Sequence, residues 1–108
     1  MGLKTISPAA LHDWMRRETV FVFDVNSEQS WKEAHVPGAR HLDPLDYEAS
    51  DLPPSKDAPL VFYCSGYLCR KAPNAGRRAE GMGYTGVRVM SAGITGWMSA
   101  KLPTESSA

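Results

Sequence analysis

Residues 60–71 read LVFYCSGYLCRK. Leu60 to Tyr63 form a continuous apolar and aromatic run that stops at Cys64, and Gly66, Cys69, Arg70 and Lys71 follow at once. A short run of this kind, bounded by a turn signal, reads as a strand buried on both faces, the pattern of a parallel sheet. VFVFDV at 20–25 reads the same way, and VRVM at 87–90 is a third clear strand.

Helices are expected between these strands. Ser7-Pro8 ahead of AALHDWMRR pairs a hydroxyl N-cap with proline at the first helical position, and Leu11, Trp14 and Met15 give the helix one apolar face. EQSWKEA (28–34) suits a short helix, and HVPGARHL (35–42) a turn into a short strand. The acidic, proline-rich DPLDYEASDLPPSKDAP (43–59) should be surface loop. Pro73 to Met82 suits a helix that tolerates Pro73 only in its first turn, with Gly83 as the left-handed residue after its end. A last short helix should run through Ala100. Strands alternating with helices at this spacing predict an α/β fold with a parallel sheet.

At 108 residues the chain has the size of one domain, expected over 1–103, with TESSA (104–108) as a short flexible tail. Hydrophobic residues at 43% and charged residues at 22% are globular values, which excludes a disordered chain. Two cysteines are too few for a disulfide-dense secreted scaffold. The start, MGLKTISPAALHDW, lacks the apolar core of a signal peptide, and no segment approaches the length of a membrane span. A soluble, cytoplasmic protein is expected. Net charge is zero, which argues against nucleic acid as a partner, and no membrane partner is indicated. Residues 1–63 carry six Lys/Arg against ten Asp/Glu, whereas residues 64–108 carry six against two. That positive excess, through Arg70, Lys71, Arg77, Arg78, Arg88 and Lys101, favours a small anionic ligand near the cysteines, although a solvated basic helix face would read the same.

A cysteine at the C-terminal end of a buried parallel strand sits where such folds place their ligand sites. The loop after it must turn into a helix, so backbone N–H groups can converge near the positive end of the helix dipole. That setting, with Arg70 and Lys71 beside it, favours thiolate and hence nucleophilic sulfur chemistry. Gly66 is expected to supply the backbone freedom of the cradle. The competing reading is a buried, inert Cys64 that packs as a small hydrophobe. A zinc site is poorly supported, because no second ligand pair stands at finger-like spacing. Cys69 is open to three roles: a disulfide partner of Cys64, a resolving thiol, or a plain loop residue.

Three segments together resemble the single-domain rhodanese-like sulfurtransferases, in the subgroup with a second cysteine in the active-site loop. FVFDVNSEQSWKEAHVPGARHL resembles the family's strand, helix and His-x-Pro-Gly-Ala turn. LVFYCSGYLCRK resembles its cysteine loop, and GMGYTGVRVMSAGITGWM its closing strand and Gly-x-x-Gly-Trp segment. The resemblance implies a five-stranded parallel sheet flanked by helices on both faces, no cofactor and no metal. It implies Cys64 as the nucleophile, which takes sulfane sulfur from a donor such as thiosulfate and holds it as a persulfide. A thiol, a sulfur-relay protein or cyanide then accepts that sulfur. Backbone N–H groups of Ser65, Gly66, Tyr67, Leu68 and Cys69 would stabilise the anionic sulfur, and Arg70 and Lys71 would attract the donor anion. Asp24 and Cys69 would support the loop. His35 reads as a hydrogen-bonded structural histidine, and Trp31 and Trp97 as packing residues. Asn26 stands where the family commonly has arginine, and Ala92 where glycine is usual.

Nineteen positions separate Cys64 from Gly83, a little more than the commonest family spacing. Cys64 to Arg70 also reads Cys-x5-Arg, which resembles the oxyanion loop of dual-specificity phosphatases and some arsenate reductases on the same fold. Tyr63 stands where those enzymes favour histidine, and no acidic general acid is evident, so sulfur transfer is the preferred reading. A third reading, a rhodanese-like binding module without catalysis, requires an inert Cys64 inside an intact cradle.

Overall fold

The structure, a computed structural model, describes residues 3–107. Its centre is a five-stranded sheet of β1 (Lys4–Thr5), β2 (Phe21–Asp24), β3 (Arg40–His41), β4 (Leu60–Tyr63) and β5 (Val87–Val89), in the order β1-β5-β4-β2-β3. Every pairing is parallel. β4 is the middle strand, so both its edges are paired and all four of its side chains are buried. Its unbroken apolar run is the sequence consequence of that position.

Four helices, α1 (Pro8–Arg17), α2 (Glu28–Glu33), α3 (Lys71–Gly81) and α4 (Gly93–Ser99), complete the α/β fold. Alternation along the strands splits the core in two. Phe23, Leu60, Phe62 and Cys64 face α3, which presents Ala72, Ala75 and Ala79. Val22, Val61 and Tyr63 face the other way, against Leu11 of α1 and Trp97 of α4. The expected caps are present: the Ser7 hydroxyl accepts the Ala10 N–H at 3.1 Å, and Pro8 opens α1. α3 starts at Lys71, so Pro73 falls in its first turn, where its missing N–H costs nothing. Gly83 follows α3 at φ +99, the left-handed conformation that only glycine adopts freely. Among the described residues, no helix is long and apolar enough to cross a membrane.

The acidic segment expected to be loop contains a 3-10 turn at Ala49–Asp51. β1 was not expected. It pairs Lys4 with Arg88 and Thr5 with Val89 at the sheet edge. Over its described part, the segment expected to be a flexible 104–108 tail lies hydrogen-bonded against the domain. Glu105 exchanges two backbone hydrogen bonds with His35, both 2.9 Å, and its side chain accepts the Gly38 N–H at 2.9 Å. Ser107 N–H reaches the Lys32 carbonyl at 2.8 Å. The tail therefore clips the end of α2 to the turn before β3.

Candidate active site

Cys64 is the first residue beyond β4, and it is 2% exposed. The loop it opens runs to Arg70, the N-cap of α3. Its shape is set by α4. A helix leaves its first N–H groups without intrahelical acceptors. In α4 these are spent on the loop: Ile94 N–H donates to the Cys64 carbonyl at 2.9 Å, and Thr95 N–H to the Ser65 carbonyl at 3.1 Å. No peptide in the described chain is cis. In a planar trans peptide the N–H points opposite to the C=O. The N–H groups of Ser65 and Gly66, which share peptides with those two carbonyls, therefore face away from α4.

Gly93 makes this docking feasible. It adopts φ +64, and a Cβ there would lie 2.5 to 2.6 Å from backbone atoms of Cys64, Ser65 and Gly66. Gly66 does not have the role expected of it. It is not among the glycines with positive φ, and a Cβ on it would meet only the Ala92 carbonyl at 3.8 Å, an ordinary contact. The glycine that the loop needs lies 29 positions from Cys64, in the GITGW segment. Gly96 is also constrained, since a Cβ there would stand 2.3 Å from that of Ala92. The alanine found in place of the family's glycine is thus accommodated by the glycine one helical turn on.

Of the five N–H groups expected in the cradle, that of Cys69 is spent, donating to the Gly66 carbonyl at 3.2 Å. Among the described residues, those of Ser65, Gly66, Tyr67 and Leu68 have no protein acceptor. Tyr67 and Leu68 project outward, 79% and 97% exposed. The sulfurs of Cys64 and Cys69 are joined as a disulfide, with the two Cα atoms 6.4 Å apart.

One hollow lies against the loop and another at the start of α3. The larger, about 670 Å³, lies between the start of α1 and α4 and is lined by Pro8, Ala9, Ser65 to Cys69, Ala92, Thr95, Gly96 and Ala100 among others. None of its lining residues is charged. The smaller, about 300 Å³, brings Lys71 together with Asn26, His41 and Asp43. The exposed Arg70 lines neither hollow. Three of the remaining basic residues of the second half have partners elsewhere. Arg78 donates to the Tyr47 carbonyl at 3.0 Å, Arg88 lies 4.7 Å above the Trp14 ring, and Arg77 turns to Asn74. Of the basic residues expected near the cysteines, Arg70 and Lys71 are the two adjacent to them in the chain.

Asp24 is fully buried, on the sheet face opposite the Cys64 side chain. One carboxylate oxygen accepts the Asn26 N–H at 2.8 Å, and the other accepts the Tyr63 hydroxyl at 2.8 Å. That hydroxyl in turn accepts the Val36 N–H at 3.1 Å. Burial pushes the Asp24 carboxyl above the ordinary aspartate range, against the pull of these donors. Burial, and then the neighbouring carboxylate, also raise the Tyr63 phenol. Asp24 is thus hydrogen-bonded to Tyr63, the residue before Cys64, and among the described residues it makes no hydrogen bond to residues 64–70. Sequence reasoning passed over Tyr63; an aromatic hydroxyl inside an otherwise apolar strand was the available signal.

His35 is structural, as expected. Its Nδ1–H donates to the Trp31 carbonyl at 2.6 Å and its ring stacks on Trp31 at 4.7 Å. Trp31 donates to the Ala39 carbonyl, and Trp97 is fully buried.

The sheet order, the cysteine at the end of the middle strand and the loop pinned by α4 together point to one family. Residues 7–100 match the family model described as Rhodanese-like domain, and the chain belongs to that family. Thiosulfate sulfurtransferase GlpE of Ectopseudomonas mendocina (strain ymp) is 29% identical over 102 residues, covering 94% of this chain and 90% of that protein. The uncharacterised protein YibN of Escherichia coli (strain K12) is 27% identical over 105 residues, covering 94% of this chain and 71% of YibN. The crystal structure of BH2092 from Bacillus halodurans superposes with a TM-score of 0.86 over 95% of this chain and 77% of that one, at 24% identity, a likeness of fold alone.

Proposed function

We propose that the chain is a sulfurtransferase that carries sulfane sulfur on Cys64. In the reduced protein the Cys64 thiolate attacks the outer sulfur of thiosulfate or of another persulfide donor. The donor's S–S bond breaks, sulfite or a thiol leaves, and a Cys64 persulfide remains. Cyanide, a thiol or a sulfur-relay protein then takes the outer sulfur and returns the thiolate, so the kinetics are ping-pong. The N–H groups of Ser65, Gly66, Tyr67 and Leu68 offer preformed donors to the anionic sulfur, and Arg70 and Lys71 draw in the donor anion. The chemistry needs no cofactor, and a cytoplasmic setting, where thiols stay reduced, suits it.

The observation that carries this reading is the loop's orientation. Its first two carbonyls are tied to α4, and their partner N–H groups are thereby left for a ligand. The uncharged hollow beside the loop supports an acceptor with an apolar body around its thiol. The test is an intact-mass spectrum of reduced, desalted protein before and after thiosulfate, with peptide mapping. A thiol-reversible gain of one sulfur on Cys64 is expected. Cys64→Ser should lower thiosulfate-to-cyanide transfer to background, and retained turnover in that variant would remove Cys64 from the mechanism.

A further inference from the structure

The disulfide and the persulfide compete for one atom. Cys64 Sγ is bonded to Cys69 Sγ, and the same Sγ must hold the transferred sulfur. The Cα separation of 6.4 Å lies within the ordinary disulfide range, and the Cys69–Gly66 turn folds the loop back so that the two side chains meet. Both cysteines pack against the same core cluster, with Cys64 buried and Cys69 half-buried. These are the chain's only cysteines.

Resting on the Cys64 persulfide reading, we infer that the loaded loop has an internal exit that releases its sulfur as sulfide, which makes the protein a sulfane-sulfur reductase as well as a transferase. The Cys69 thiolate attacks Cys64 Sγ, the atom to which the structure joins it. The bond from Sγ to the outer sulfur breaks, and the Cys64–Cys69 bond forms. The outer sulfur leaves as hydrosulfide with the electron pair of the broken bond. Two cysteines, one of them loaded, become one disulfide; the sulfur is reduced to sulfide, and the Cys69 proton passes to solvent or to the leaving sulfide. A dithiol reductant, the co-reactant of the cycle, then opens the disulfide by exchange and restores both thiols. With thiosulfate as donor, one turn consumes thiosulfate and one dithiol, and yields sulfite, sulfide and the oxidised dithiol. Acceptors reach the outer sulfur from solvent, whereas Cys69 reaches the inner one from within the loop. The two exits therefore differ in which sulfur is attacked.

The test is a single turnover without external thiol. Reduced protein is loaded with thiosulfate, desalted quickly, and followed by sulfide assay and intact mass, in parallel with Cys69→Ser and Cys69→Ala. The wild type should release one equivalent of sulfide and end at the mass of the disulfide. Intramolecular attack should make that release about a hundredfold or more faster than in either variant. The variants should keep the added sulfur until cyanide discharges it as thiocyanate. Sulfide release at the same rate from wild type and from loaded, folded variants would overturn the internal exit and leave sulfur transfer standing. A stable wild-type persulfide that cyanide still discharges would do the same. Folded variants that take up no sulfur and form no thiocyanate would overturn the transferase reading, and the internal exit with it.

Discussion

Two loops leave the C-terminal ends of neighbouring strands, and they are built in opposite ways. After β2, residues 25–39 are closed by side chains: Asp24 holds Asn26, Tyr63 holds Val36, Trp31 holds the Ala39 carbonyl, and the tail seals His35 and Gly38. After β4, residues 64–70 are held by the Cys64 and Ser65 carbonyls on α4, by the Cys69–Gly66 turn and by the Cys64–Cys69 disulfide, and four N–H groups together with the Tyr67 and Leu68 side chains are left to solvent. The first loop turns many of its polar groups inward, as a supporting structure should. The second is held on one side and left unsatisfied on the other, the arrangement expected where a ligand completes the set. A rigid loop beside an open one lets the open one keep its shape without filling its own donors.

The contrast can be broken from the α4 side. Gly93→Ala places a methyl group inside the backbone of the cysteine loop and forces a left-handed conformation on a non-glycine residue. We expect a loss of about 2–4 kcal/mol in urea unfolding, with sulfur transfer falling further than the folded fraction. Wild-type stability in that variant would mean that α4 does not press on the loop. Next comes the closed side. Tyr63→Phe strips the bond to Asp24 and leaves the Val36 N–H unpaired in the interior, so about 1–3 kcal/mol should be lost. Because the phenylalanine preserves the packing, a neutral result would show that these bonds are made good elsewhere.

A smaller effect sharpens the role of Asp24. Its folded-state carboxyl is raised by burial, so between the ordinary aspartate value and that raised value the folded chain binds more protons than the unfolded one. Stability from this group is full below the ordinary value and declines as pH rises from about 4 through the raised value. The difference between wild type and Asp24→Asn in urea midpoint should therefore change across that window, and parallel pH curves would contradict the assignment. Smallest of all, Leu68→Ser on the open loop should stay within about 0.5 kcal/mol of wild type, since its side chain contributes almost nothing to the core.

Much of this was legible in the chain. The runs 20–25, 60–64 and 87–90 declared strands of a parallel sheet because they are rich in β-branched and aromatic residues, each with at most one charged residue. Ser7-Pro8 and Gly83 marked helix ends for reasons local to their own backbones. What escaped depends on partners far off in sequence. Lys4–Thr5 is a strand only because β5 lies beside it, and two residues carry no periodicity. TESSA is polar enough to be read as a tail, and the backbone bonds that Glu105 and Ser107 make to His35 and Lys32, 70 or more positions away, leave no mark in it. The cysteine's position could be read from the end of its strand. The hollow beside it could not, since it forms only where α1, α4 and the loop meet. Gly66 was credited with a freedom that belongs to Gly93, because a tight approach between distant segments leaves no mark on the nearer one.

The sheet's outer strands, Lys4–Thr5 and Arg40–His41, are two residues long, and each carries an exposed basic side chain. An open parallel sheet ordinarily offers long rows of unpaired backbone groups on which another chain can dock. Here both rows end almost as soon as they begin, and Lys4 and Arg40 repel a second copy that approaches edge to edge. The same brevity that hid β1 in the sequence leaves little template for strand-by-strand aggregation at either edge.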